Sequence, residues 1–287
     1  MAVRTGHSAE SGLAYSQPRK RGKRINVCGR SSRGSERAER WWRHRRASPT
    51  SPSSRPRSVA LVSTSYGRAM TLDASSSAIT HRTVDANGTR IHVAESGAGP
   101  LVLFVHGFPE SWYSWRHQLP AVAAAGFRAA AIDVRGYGRS ATPLPIEDYR
   151  MVCHVGDNVG VVEALGEETA VIVGHDWGSP IAWNSAVLRP ERFRAVALLS
   201  VPYNPRSGFK PSDQFRLLGG EEEFYIEYFQ QLGRAEAEIE ADLARWLLGF
   251  YYSASGDAPT GDGRGSRVHV GPTGRLVDRF AWPAGWP

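Results

Sequence analysis

The sequence predicts an α/β protein, with a mostly parallel sheet, helices on both faces, a leading β-hairpin and a following helical segment. Three observations predict it. Short apolar runs alternate with amphipathic stretches between residues 101 and 200. Glycines close those runs where the chain must turn. Just upstream, an Asn-Gly pair separates two segments of alternating polarity.

Each element follows in order. Ile79–Val84 and Thr89–Ala94 flank Asn87-Gly88, whose turn positions tolerate positive φ, so a hairpin is expected. Leu101–Val105 is continuously apolar, as suits a strand buried on both faces. Ser114–Ala125 has helical spacing and ends at Gly126, before the strand Arg128–Ile132. Tyr149–Leu165 reads as a long amphipathic helix stopped by Gly166. Ala170–Val173 is a strand running into Gly174, followed by a helix over Gly178–Leu188 and a strand over Ala195–Ser200. Glu221–Phe250 is largely helical, with an acidic start that suits a helix N-terminus, and Ser253–Gly274 reads as loop.

Charge divides the 287 residues unevenly. Residues 1–70 hold 16 Lys/Arg against 3 Asp/Glu, a net +13, whereas residues 71–287 hold 19 against 25, a net −6. The overall +7 describes neither part. The basic segment, RKRGKR from Arg19 to Arg24 and then a Ser/Arg mixture, lacks apolar periodicity and is expected to be disordered. Met70 stands at the composition break, so residues 1–69 are expected to lie upstream of the natural start. The division is therefore a basic extension over 1–70, a sheet domain over 77–202 and a helical region over 203–287. Cys28 and Cys153 provide no disulfide framework and no metal-ligand spacing, which suits a reducing cytoplasm. No apolar run approaches the roughly 20 residues that span a bilayer, so no membrane association is expected. Nucleic acid has only the basic run in its favour as a partner.

Three clusters fall where strands end, the place where open α/β sheets put their sites. In His106-Gly107-Phe108-Pro109, Gly and Pro force a sharp turn that can aim a backbone N–H into the crevice; a plain strand-to-helix turn is the alternative. Asp133–Ser140 (DVRGYGRS) suits a structured loop that supports the first cluster. The third, Gly174-His175-Asp176-Trp177-Gly178-Ser179, places small residues two before and two after Asp176, as a strained elbow between strand and helix requires. A carboxylate at that elbow needs no deprotonation before attack, and a helix N-terminus favours its charge. Attack on an sp³ carbon would give an alkyl ester. Water activated by a histidine would then attack the ester carbonyl, with the amides of Phe108 and Trp177 as oxyanion donors. An Asp N-cap is the simpler alternative reading of Asp176.

HGFPESWYSWRHQ (His106–Gln118), DVRGYGRS (Asp133–Ser140) and GHDWGS (Gly174–Ser179) resemble, in sequence, order and spacing, the core motifs of soluble-type epoxide hydrolases of the α/β-hydrolase fold. The resemblance extends from about Ile79 to Ala235. Tyr225–Gln230 resembles that family's lid segment, which implies that Tyr225 polarises the epoxide oxygen of a small apolar substrate. His106, Gly107, Pro109, Gly174 and Gly178 would shape the site. No cofactor or metal is implied. Haloalkane dehalogenases share the nucleophile and Trp177, but they carry Asn where Phe108 stands and have no use for Tyr225 as an acid.

The chain also departs from the family. No second lid tyrosine is found, the only histidine after His175 is His269, and Val201–Asn204 supplies no carboxylate to orient a base. The chain is expected to stop inside the lid, before two further strands. Turnover should then be impaired, the sheet edge should stay open and aggregation should follow. A ligand-binding role without chemistry is the reading from another class.

Overall fold

The computed structural model describes residues 78–143, 145–205, 208, 210–259, 269–271 and 273–286. The basic extension and much of the loop before His269 lie outside the described residues. Two compact units are present, one ending at Tyr203 and one beginning at Asn204.

The first unit is built on six strands: β1 (Thr80–Ala86), β2 (Thr89–Ser96), β3 (Leu101–Val105), β4 (Arg128–Ile132), β5 (Ala170–His175) and β6 (Phe193–Leu199). Their order across the sheet is β1-β2-β4-β3-β5-β6. β1 pairs antiparallel with β2 and β2 antiparallel with β4, whereas β4, β3, β5 and β6 run parallel. The mostly parallel α/β sheet read from the sequence is therefore the observed fold class. Asn87 and Gly88 take φ of 50° and 78°, as the hairpin turn requires.

Strand periodicity sorts the core into two faces. Leu101, Leu103 and Val105 pack on one face with Val159, Val162 and Ile181. These partners come from α2 (Met151–Ala164) and α3 (Gly178–Leu188). Val102 and Phe104 pack on the other face with Trp115 and Leu119, the latter from α1 (Gln118–Ala124). Helices thus cover both faces. Two predicted helices begin later than expected, because 3-10 turns at Trp112–Trp115 and Ile146–Tyr149 precede them. Beyond β5, the strand β6 has a largely exposed surface, including Val196 and Leu199.

A buried ion pair joins sheet loops to α2. Arg135 donates to both oxygens of Asp157 at 2.8 and 2.5 Å, and each side chain is 3% exposed. Asn87 adds a bond to the same carboxylate at 3.1 Å, which ties the hairpin turn to the helix. Nearby, Cys153 is buried. Cys28 lies outside the described residues.

The second unit contains α4 (Pro211–Gly219), α5 (Tyr225–Tyr228), α6 (Arg234–Ala241) and α7 (Leu243–Ala254). The single helical stretch read over Glu221–Phe250 is thus divided, by Gly233 at φ 83° and by Asp242, whose side chain caps α7. The unit is held by Glu238. Its carboxylate accepts from Tyr228 Oη, Trp246 Nε1 and the amides of Leu276 and Val277 at 2.8–3.0 Å. Four donors converge on one acidic group. Among the described residues no helix is long and apolar enough to cross a membrane.

Candidate active site

The three motif loops meet at the carboxyl ends of β3, β4 and β5. The order of the sheet explains why: the chain steps from β3 to β4 on one side and then crosses back over β3 to β5 on the other, so the connections reverse direction and open a crevice there.

Asp176 directly follows β5 with φ at 49°, a left-handed conformation uncommon for a residue with a side chain. Neighbouring contacts hold it there. Its N–H donates to Leu199 O at 3.2 Å, and its carbonyl accepts from Ser179 N at 2.9 Å. Ser179 Oγ adds bonds to Gly174 O and Leu199 O. The small residues on either side are sterically required. A Cβ on Gly174 would fall on the carbonyl of Gly178, and one on Gly178 would fall on the carbonyl of Val105. This packing presses the start of α3 against the end of β3.

The turn after β3 completes the geometry. The Phe108 amide donates to Asp176 Oδ1 at 2.9 Å. Gly107 makes that approach possible, since a Cβ there would lie 2.5 Å from Oδ1. Pro109 follows a cis peptide bond. Trp177 is the N-cap of α3, with helical backbone, and the residue is 41% exposed. The structure therefore brings Asp176, Gly107 and Phe108 into contact, with Trp177 next in the chain. Tyr225 belongs to the second unit. It opens α5, half-buried, with its ring against Phe224 and Phe229 at centroid distances of 4.8 and 6.0 Å.

His106 has a supporting place. Its Nδ1 donates to Gly107 O at 2.8 Å and its Nε2 accepts from the Val134 amide at 2.9 Å. Burial holds the ring below the ordinary histidine pKa, offset in part by the Gly107 carbonyl, Asp133 and Glu110. Two carboxylates secure the same turn. Glu110 accepts from Gly107 N at 3.1 Å and contacts His175 Nδ1 at 3.2 Å. Asp133, wholly buried, accepts from the amides of Trp112 and Arg139 and from His92 Nδ1 at 2.8–2.9 Å. Sequence reading assigned the Asp133 loop a supporting part but missed Glu110 and His92. Glu110 had a signal, its position three residues after Gly107. His92 had none. Among the described residues no group of three or more His, Cys, Asp or Glu is placed to hold a metal ion.

Residues 100–255 match the family model described as alpha/beta hydrolase fold. The chain is 45% identical over 212 residues to Epoxide hydrolase A of Mycobacterium tuberculosis, covering 72% of this chain and 65% of that protein. It is 48% identical over 192 residues to Epoxide hydrolase B of the same organism, covering 62% and 54%. Among solved structures, an epoxide hydrolase from an endophytic Streptomyces superposes with a TM-score of 0.68 at 63% identity, covering 72% of this chain and 63% of that one. The chain thus spans between about half and two thirds of the length of these relatives.

Proposed function

The chain belongs to the α/β hydrolase fold family, and from that premise we propose that it is an epoxide-hydrolase-like protein in which Asp176 opens an epoxide through an alkyl ester. The observation that carries this reading is the bond from the Phe108 amide to Asp176 Oδ1 at 2.9 Å, made at an elbow of positive φ. One carboxylate oxygen is engaged, which leaves Oδ2 to attack. In the reaction the Oδ2–carbon bond forms, the epoxide C–O bond breaks, and the alkoxide takes a proton. Tyr225 is assigned as the donor of that proton, on the strength of the segment Tyr225–Gln230 alone; a neutral phenol suits the role near pH 7.

Oδ1 then becomes the ester carbonyl oxygen, already bonded to a donor. Water attack at Cγ would place negative charge on that atom, where the Phe108 amide, joined by that of Trp177, would stabilise it. This second step needs a general base. His106 has both ring nitrogens bonded and His175 is turned to Glu110, so neither supplies it. The reading is therefore of an enzyme that forms its ester and resolves it poorly.

Incubation of the pure chain with styrene oxide, followed by peptide mass spectrometry, tests both parts. The expected result is a stable adduct of one epoxide on Asp176, absent from Asp176→Asn. An unmodified Asp176 would remove the nucleophile assignment, whereas sustained diol release would remove the impaired second step. A 1-haloalkane arm separates the dehalogenase alternative, which predicts halide release.

A further inference from the structure

A second chain of reactive side chains runs outward to the sheet edge from Asp133, one of the supports of the turn that carries Phe108. The buried Asp133 carboxylate accepts from His92 Nδ1 at 2.8 Å, and His92 Nε2 lies 3.1 Å from His81 Nδ1. His92 is 3% exposed, whereas His81, on β1 at the edge of the sheet, is exposed. The rings of His81 and His92 stack with centroids 5.2 Å apart and planes 13° apart. The Trp112 ring stands edge-on to both, and its amide donates to Asp133.

The hydrogen positions follow from the chemistry of the acceptor. A carboxylate only accepts, so the proton between Asp133 and His92 belongs to His92 Nδ1. With both rings neutral, His92 Nε2 is then an acceptor, so His81 Nδ1 carries the next proton. His81 Nε2 is left as a lone pair on an exposed residue. An imidazole whose N–H is backed by an acceptor and whose other nitrogen is free has the arrangement of an activated histidine base. We infer that His81, backed by His92 and Asp133, is a nucleophilic modification site for activated acyl compounds such as anhydrides and activated esters.

The step balances without a further reagent. The Nε2 lone pair forms a bond to the carbonyl carbon, and the leaving group departs with the electrons of its own bond. The ring would become an acylimidazolium. It returns to neutrality by passing its Nδ1 proton to His92 Nε2, and the resulting imidazolium lies against Asp133. Partial burial, then His92 and Arg139, hold His81 below the ordinary histidine pKa, with Asp133 acting in the opposite sense. The reactive neutral ring is therefore well populated at neutral pH.

The test treats the full chain with limiting diethyl pyrocarbonate and reads each histidine by peptide mass spectrometry. His117, also exposed, is the internal reference. Carbethoxylation of His81 is expected to be at least about tenfold faster than that of His117. His92→Phe, which keeps a ring in the stack but accepts no proton, should bring His81 down to the His117 rate. Equal rates in the wild-type chain, or a His81 rate unchanged in His92→Phe, would overturn the inference. Should His92→Phe fail to fold, ¹⁵N NMR of the wild-type chain decides. The Nδ1–H form on both His81 and His92 supports the relay, and the Nε2–H form on His81 ends it.

Discussion

The Phe108 amide and the Asp176 carboxylate meet at 2.9 Å although they lie 68 residues apart in the chain. Two local constraints produce this one bond: the turn after β3 aims the N–H, and the positive φ at Asp176 raises the carboxylate to receive it. Neither works without the other. Gly107 governs their separation, since any Cβ there meets Asp176 first.

Gly107→Ala should therefore displace the carboxylate while leaving the residue chemistry intact. A shift of about 1 Å at a reacting group costs on the order of a hundredfold in rate. Formation of the Asp176 adduct with styrene oxide is expected to slow by about that factor, with circular dichroism unchanged. Adduct formation at the wild-type rate would show that the approach of Phe108 is not what readies Asp176.

The ion pair of Arg135 and Asp157 gives a prediction about stability. With both side chains 3% exposed, removing one partner leaves a buried charge with nothing to balance it. Asp157→Asn is expected to lower unfolding stability by about 3–5 kcal/mol, measured by urea denaturation of the full chain. Arg135→Met combined with Asp157→Asn should recover about half of that loss, because the unpaired charge is gone. A double variant no more stable than Asp157→Asn would assign the cost to the bond with Asn87 instead.

These examples also mark how far the sequence could be read. The strands Leu101–Val105 and Arg128–Ile132 and the helix Gly178–Leu188 match their expected bounds, since apolar runs and glycine stops are local signals. Asn87-Gly88 was legible for the same reason. The helix α4 was missed although Pro211 at its first turn was a usable start signal. In the second unit, an Ala/Glu-rich pattern continues through Gly233 and Asp242, so the pattern alone did not show the breaks. The partners of Asp133 were not legible at all. Trp112, His92 and Arg139 reach it from three separate loops and strands, and only the register of β1 on β2 brings His81 to His92.

Tyr228 gives the second unit an alkaline limit. Burial first, then its bond to Glu238, raise its pKa above the ordinary 10.0. Below that value both folded and unfolded chains keep the phenol protonated, so the full stability is present. As pH rises above about 10, the unfolded chain ionises Tyr228 and the folded unit does not, so stability falls with pH. Denaturation followed by Trp246 fluorescence should show this loss, and Tyr228→Phe should flatten it. An unchanged slope in Tyr228→Phe would assign the alkaline loss to other groups.

His106 sets the opposite limit in the first unit. Its ring is bonded at both nitrogens as the neutral form, and a second proton on Nε2 would confront the Val134 N–H. Burial accordingly lowers its pKa, and the same cause lowers that of His154 on α2. The stability from a lowered histidine pKa is complete above the unfolded value of about 6.5 and is lost as pH falls below it, because the unfolded chain takes up the proton first. Global denaturation combines both histidines, so the measurement must resolve them. In ¹⁵N NMR, His106 should keep its neutral signature as the pH falls below the ordinary histidine value. If His106 takes up its proton at the ordinary histidine value, the bond to Val134 does not persist in solution. The turn that positions Phe108 would then lack one of its three supports, the others being Glu110 and Asp133.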